Sequence, residues 1–167
     1  TTKKPKVVVI QINSPGGSPV QSELIYNKIR LLAEKNKVKV VTIAEDVAAS
    51  GGYMLMCAGD ELLANKSSIV GSIGVISASF GFKDLIEKLG VTRRIFTAGK
   101  NKSFLDPFVD VQDKDVEKLI KVQVSIFENF KALVLKNRKE KIDADKVCNG
   151  EFWTGEQGID LGLVDSN

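Results

Sequence analysis

The chain has 167 residues, 43% hydrophobic and 27% charged, with a net charge of +3 and no histidine. That length supports one domain with a substantial core, and so mild a charge gives no argument for nucleic acid. The missing histidine removes the common zinc sites and every serine–histidine triad together.

The opening Thr1–Lys6 is not a signal peptide and reads as the trimmed end of something longer. Nowhere is there an apolar run of about 18 residues, the length that spans a bilayer. Val7 to Ile12 is β-branched and almost continuous, which predicts a strand buried on both faces. Asn13-Ser14-Pro15-Gly16-Gly17 breaks it. A helix is expected next, with Ser18 as N-cap, Pro19 in the first helical position and Gln21 completing a capping box. Val20, Leu24, Ile25, Ile29 and Leu32 give that helix an apolar face.

Val38 to Ile43 predicts a second buried strand, followed by Ala48-Ala49-Ser50-Gly51-Gly52-Tyr53 and a helix that starts at Ser50. Glu61 to Ala64 and Ile73 to Ser77 read as short strands. Phe82 to Leu89 reads as a helix stopped by Gly90, and Val91 to Thr97 as a further strand. After a loop over residues 98–112, Asp113 is expected to cap a long helix reaching Arg138. The run Lys136-Asn137-Arg138-Lys139-Glu140-Lys141 reads as the solvated end of that helix. Thr154 and Gln157 form a capping box for a last short helix, which Gly162 closes. Short apolar runs alternating with amphipathic stretches make the class α/β. Cys57 and Cys148 are far apart, lack metal-ligand spacing and read as small buried side chains.

The two glycine-rich turns both follow buried strands, and parallel sheets gather their sites at the carboxyl ends of strands. The first turn lacks the lysine and spacing of a Walker loop, so its N–H groups suit an oxyanion better than a nucleotide. On that reading the N–H groups of Gly17 and Gly51 point at one developing negative charge, and losing one such donor typically costs about 3–4 kcal/mol. A plainer reading treats both turns as strand-to-helix punctuation and Ser50 as a helix N-cap.

Without histidine, a neutral lysine is the base strong enough for a serine hydroxyl. An ordinary lysine, with a pKa of about 10.4, is only about 0.1% neutral near pH 7.4. Bringing it to about 7 requires destabilising the ammonium by roughly 4–5 kcal/mol, which burial among hydroxyls supplies. Residues 98–108 hold two candidates, Lys100 and Lys102, beside apolar neighbours, and spacing alone does not choose between them.

INSPGG at 12–17, AEDVAASGGYML at 44–55, GSIGV at 71–75, TAGKNKSFLDPF at 97–108 and GEFWTGEQGIDLGLVD at 150–165 resemble the signal peptide peptidase A and SohB family. They stand in the family's order, cover essentially the whole chain and look closest to the short SohB-like members. The resemblance implies a Clp/crotonase-like fold with repeated β-β-α units and a largely parallel sheet, in one peptidase domain over residues 1–167. It also implies a serine–lysine dyad in which Ser50 matches the nucleophile and Lys102 the base. Ser72 then matches the serine that hydrogen-bonds the lysine amine, Gly17 and Gly51 match the oxyanion donors, and Lys100 falls on a variable position.

The family implies an extended peptide as substrate and a ring-shaped homo-oligomer whose neighbouring subunits can share a site. It implies neither cofactor nor metal, and no nucleic-acid partner. Its members carry a further strand and helix before INSPGG plus a membrane anchor, which this chain is expected to lack. The full-length protein is accordingly expected to be membrane-associated, with an extracytoplasmic catalytic domain. Two alternatives share the fold. One is a crotonase-type acyl-CoA enzyme, although no glutamate sits beside the glycine turns; the other is a non-catalytic oligomeric scaffold.

Overall fold

The computed structural model describes residues 5–99 and 101–167, which fall into two compact units. One combines the chain up to residue 75 with residues 126–167, and the other is residues 76–125.

The first unit contains one sheet of β1 (Val7–Ser14), β2 (Lys39–Ala49), β3 (Glu61–Ala64), β4 (Ile69–Gly71) and β5 (Phe152–Thr154). The order is β1-β2-β4-β5, with β3 also paired to β2. β2 runs parallel to β1, β3 and β4, and β5 runs antiparallel to β4. This is the α/β class that the alternation of runs predicts, with the largely parallel sheet that the family resemblance implies. Helix α1 (Pro19–Asn36) connects β1 to β2, and α2 (Gly51–Met56) follows β2 directly. Tyr53, Met56, Leu62, Val70, Ile73, Val134 and Leu163 are the large side chains fully buried at the centre.

Several local expectations hold. Ser18 accepts from the Gln21 N–H ahead of Pro19, although the Gln21 side chain makes no return bond, so the expected box is only half formed. The Thr154–Gln157 capping box is complete in both directions at the start of α6 (Gly155–Asp160), and Gly162 follows with a positive φ of 74°.

The expectation for β1 is corrected, because Val7, Val8 and Val9 are 46%, 40% and 55% exposed. Among the described residues β1 pairs with β2 only, so its outer side is left uncovered there. The apolar face of α1 is also rotated from the predicted one. Val20, Leu24, Ile25 and Leu32 are exposed, whereas Ser22, Tyr26 and Ala33 are buried, with Ile29 against the core. The reason is close packing on α2. A Cβ on Gly51 would lie 2.5 Å from Ser22 Oγ, so the buried face of α1 needs a small residue there.

The strand expected at Ile73–Ser77 is replaced by β4, which ends at Gly71. Gly71 and Ser72 take φ of 103° and 52° and turn the chain out of the extended conformation. The predicted pattern also misses β5 and the single turn of α5 (Ala144–Val147). Cys57 and Cys148 are buried free thiols, as expected, and burial pushes the Cys57 thiol up to about 12.

The second unit contains α3 (Lys83–Lys88) and the first half of α4 (Asp113–Arg138). Gly90, at φ 68°, ends α3, and the Val91 N–H donates to Ile86 O at 2.9 Å. Residues 91–97 form no strand, and among the described residues of this unit no other strand offers a ladder. The Arg93 guanidinium sits 5.5 Å from the centre of the Phe108 ring and 2.8 Å from Asp106. Arg93 and the Phe108 N–H hold the Asp106 carboxyl below its ordinary value. Asp113 opens α4 from within, while the Gln112 carbonyl accepts the first helical bonds.

At the other end of α4 the basic run is not fully solvated. Arg138 is 2% exposed, and its guanidinium bonds the Gly162 carbonyl and, at 2.9 and 3.1 Å, both Asp165 oxygens. Asp165 also accepts from Lys141 and from the Leu62 N–H. Burial pushes its carboxyl up, but these three partners outweigh that effect and hold it below its ordinary value.

Removing the guanidinium in Arg138→Ala should lower unfolding free energy by about 3 kcal/mol, as expected for breaking a buried pair; urea titration measures it. Because folded Asp165 binds its proton more weakly than the unfolded chain does, its contribution is complete above about pH 5 and fades as pH falls through about 4. Arg138→Ala should therefore flatten the acid side of the stability curve, measured as the urea midpoint against pH.

Candidate active site

The site begins where β2 ends. Ala48 and Ala49 are buried and lead into Ser50, which takes φ 53° and ψ −122°. This region is strained for a residue with a Cβ. The position is held by its backbone: the Ser50 N–H donates to Gly71 O at 2.8 Å, and Ser50 O accepts from the Met54 N–H at 3.0 Å. The hydroxyl makes no capping bond to α2. Ser50 thus stands at the N-cap position without using its side chain as a cap.

Small residues let the first turn approach. A Cβ on Gly16, at φ 136°, would lie 2.9 Å from Ser50 Cβ and 3.2 Å from its Oγ. A Cβ on Gly52 would collide with the Ser14 carbonyl. Gly17, at φ 152°, has open space around it, and its nitrogen lies 3.4 Å from where a Gly51 Cβ would stand. The Ser14 hydroxyl accepts from the Gly16 N–H at 3.3 Å and steadies this turn.

Ser72 arrives by register. Ala49 pairs with Gly71 across parallel β2 and β4, so Ser50 and Ser72 are the next residues on neighbouring strands. Ser72 also has a positive φ, 52°, and its N–H donates to Glu151 O at 2.6 Å. The first unit therefore brings together Ser50, Gly51, Gly17 and Ser72 of the five residues predicted from sequence.

Lys102 belongs to the second unit, on the turn that follows Gly99, where it is exposed. Its N–H donates to Gly99 O at 3.1 Å. Lys100 lies outside the described residues. Sequence reading passed over Gly16, the residue of this turn that a Cβ would press directly against Ser50. Its adjacency to Gly17 was the available signal. Among the described residues no three His, Cys, Asp or Glu side chains gather at metal-binding range.

A largely parallel α/β sheet with a strained serine between strand and helix, flanked by glycine turns, defines a protein of the Clp/crotonase-like class. Residues 32–167 match the model of peptidase family S49, and the chain belongs to that family.

The chloroplastic serine protease SPPA of Arabidopsis thaliana is 34% identical over 170 residues, covering 99% of this chain and 24% of that protein. The Haemophilus influenzae protein named "Probable protease SohB" is 32% identical over 158 residues, covering 95% of this chain and 44% of the relative. A Brucella melitensis protein named Na(+)/H(+) antiporter NhaA is 52% identical over 164 residues, covering 98% of this chain but 22% of its own length. The chain thus spans less than half the length of each of these three relatives. The antiporter name describes a protein in which the matching segment is a minor part. Among the described residues of this chain, no helix is long and apolar enough to cross a membrane.

Since its hydroxyl holds no helix end, Ser50→Ala should change global stability by less than about 0.5 kcal/mol. A working N-cap would lose about 0.5–2 kcal/mol on the same substitution. Urea unfolding of the two proteins decides between these, and a loss above about 1 kcal/mol would assign the hydroxyl to the helix.

Proposed function

We propose that this protein is a serine endopeptidase that cleaves extended peptides through an acyl-enzyme on Ser50, with Lys102 as the base. The observation that carries the reading is Ser50 itself. A member of a peptidase family holds this serine at a strained strand-to-helix turn, does not spend its hydroxyl on the helix, and keeps the glycine turn against it.

Ser50 Oγ attacks the scissile carbonyl carbon and gives its proton to neutral Lys102 Nζ. The oxyanion is stabilised by the N–H groups of Gly17 and Gly51. The C–N bond then breaks, and the departing amine takes the proton from Lys102. Lys102 next accepts a proton from water, whose oxygen attacks the ester carbonyl. The C–O bond to Ser50 then breaks, Ser50 Oγ takes that proton back from Lys102, and the acid product leaves. The Ser72 hydroxyl donates to the lysine amine and favours its neutral form, so no carboxylate is needed beside it.

The proposal includes a homo-oligomer, which supplies the water-excluded surroundings that the Lys102 amine needs. It also includes membrane anchoring of the full-length protein, an extracytoplasmic catalytic domain, and substrates such as remnant signal peptides or membrane-protein fragments. The names of the SPPA and SohB relatives support the peptidase chemistry.

Assembled wild-type protein should cleave an extended fluorogenic peptide and be labelled on Ser50 by a fluorophosphonate. Lys102→Ala should lower turnover by at least about 100-fold, and Ser72→Ala by about 10-fold or more, on the scale of general-base catalysis. Lys100→Ala should stay near the wild-type rate. Equal losses in the two lysine variants would sink the assignment of Lys102.

A further inference from the structure

β1 and β2 fall out of step opposite Asn13. Ile12 pairs with Ala44 and Ser14 with Ala48, so Asn13 alone faces residues 45–47. Over the same stretch β2 changes its other neighbour. Ala44 is its last residue paired to β3, and Val47 its first paired to β4. Backbone groups in such a bulge lose ladder partners and must find others.

Asn13 supplies them from one side. Its Oδ1 accepts from the Val47 N–H at 3.3 Å, and its Nδ2 donates to the Asp46 carboxylate at 3.0 Å. Buried Ser68 works from the other side, with its hydroxyl directed at the carbonyls of Ala44 and Glu45. Both glycine turns hang from this point. The turn that carries Gly17 begins at the residue after Asn13, and Ser50 lies three residues beyond Val47.

We propose that Asn13 and Asp46 are positioning residues: by locking the bulge in β2, they set the offset between the Gly17 turn and the Ser50–Gly51 turn. The inference rests on the peptidase reading of Ser50. The pair acts through the backbone of the bulge, not on the substrate. Both side chains are exposed, so substituting them opens no cavity and leaves the core intact.

The pair needs one amide donor, one carboxylate, and an acceptor at residue 13 for Val47. N13D keeps that acceptor but sets two carboxylates against each other. N13D/D46N restores a complementary pair with the donor moved to the other strand. Wild type, Asn13→Ala, N13D and N13D/D46N are compared by kcat and KM on a peptide, by fluorophosphonate labelling of Ser50, and by amide hydrogen exchange at Val47 and Ser50.

Asn13→Ala and N13D should lose about 10- to 100-fold in kcat and labelling rate, with KM within about threefold, the pattern of misplaced groups rather than lost substrate binding. The double variant should recover most of the N13D loss. A wild-type rate in Asn13→Ala, or a double variant no better than N13D, would overturn the inference. If wild type neither cleaves nor labels, the peptidase reading fails by itself and exchange decides the coupling. Faster exchange at both amides in N13D, reversed in the double variant, supports it, and unchanged exchange overturns it.

Discussion

β2 has to serve three neighbours, and everything near Ser50 depends on how it does so. Its first half pairs with β1 and β3; its last three residues pair with β4, and Ala48 also faces Ser14. The change of partner and the break in register occur together between Ala44 and Ala48. A regular strand would bring Ser50 to the sheet edge in step with the first turn. The irregular one shifts it, and the Gly17 turn then meets the start of α2. Bulges recur beside functional sites because they re-aim a strand end without dismantling the sheet.

The close approach made there rests on absent side chains. Gly16 leaves room for Ser50, Gly51 for Ser22, and Gly52 for the Ser14 carbonyl. Three elements, β1, α1 and α2, meet at distances that a single methyl group would forbid. Large buried side chains lie behind this contact. Tyr53 and Met56 project from α2 into the core, and the Tyr53 hydroxyl donates to Leu163 O at 2.8 Å. Glycine on one face and bulky apolar groups on the other let a helix of six residues hold a fixed position. The C-terminal segment contributes through Arg138 and Asp165, whose pairing ties α4 to the chain after α6 and, through the Leu62 N–H, to β3.

Ser50 and Lys102 come from different parts of the chain. Ser50, Gly17 and Ser72 are all delivered by strand ends of one sheet, whereas Lys102 lies on a turn of the 76–125 unit. The strand-borne groups are placed by register and by backbone bonds.

The sequence by itself determined the α/β class, the Ser18 and Thr154 caps, the stop at Gly90, the two glycine turns and the exclusion of a histidine base. These depend on residues within a few positions of one another, so local chemistry decides them. The strand ends, the face of α1 that is buried and the burial of Arg138 were decided by tertiary structure. Arg138 looks solvated until Gly162 and Asp165, distant in sequence, supply its partners. The same holds for AASGGY: its residues announce a turn that displays a serine. Only the register of β2 against β1 and β4 decides that Gly17 and Ser72 stand beside it.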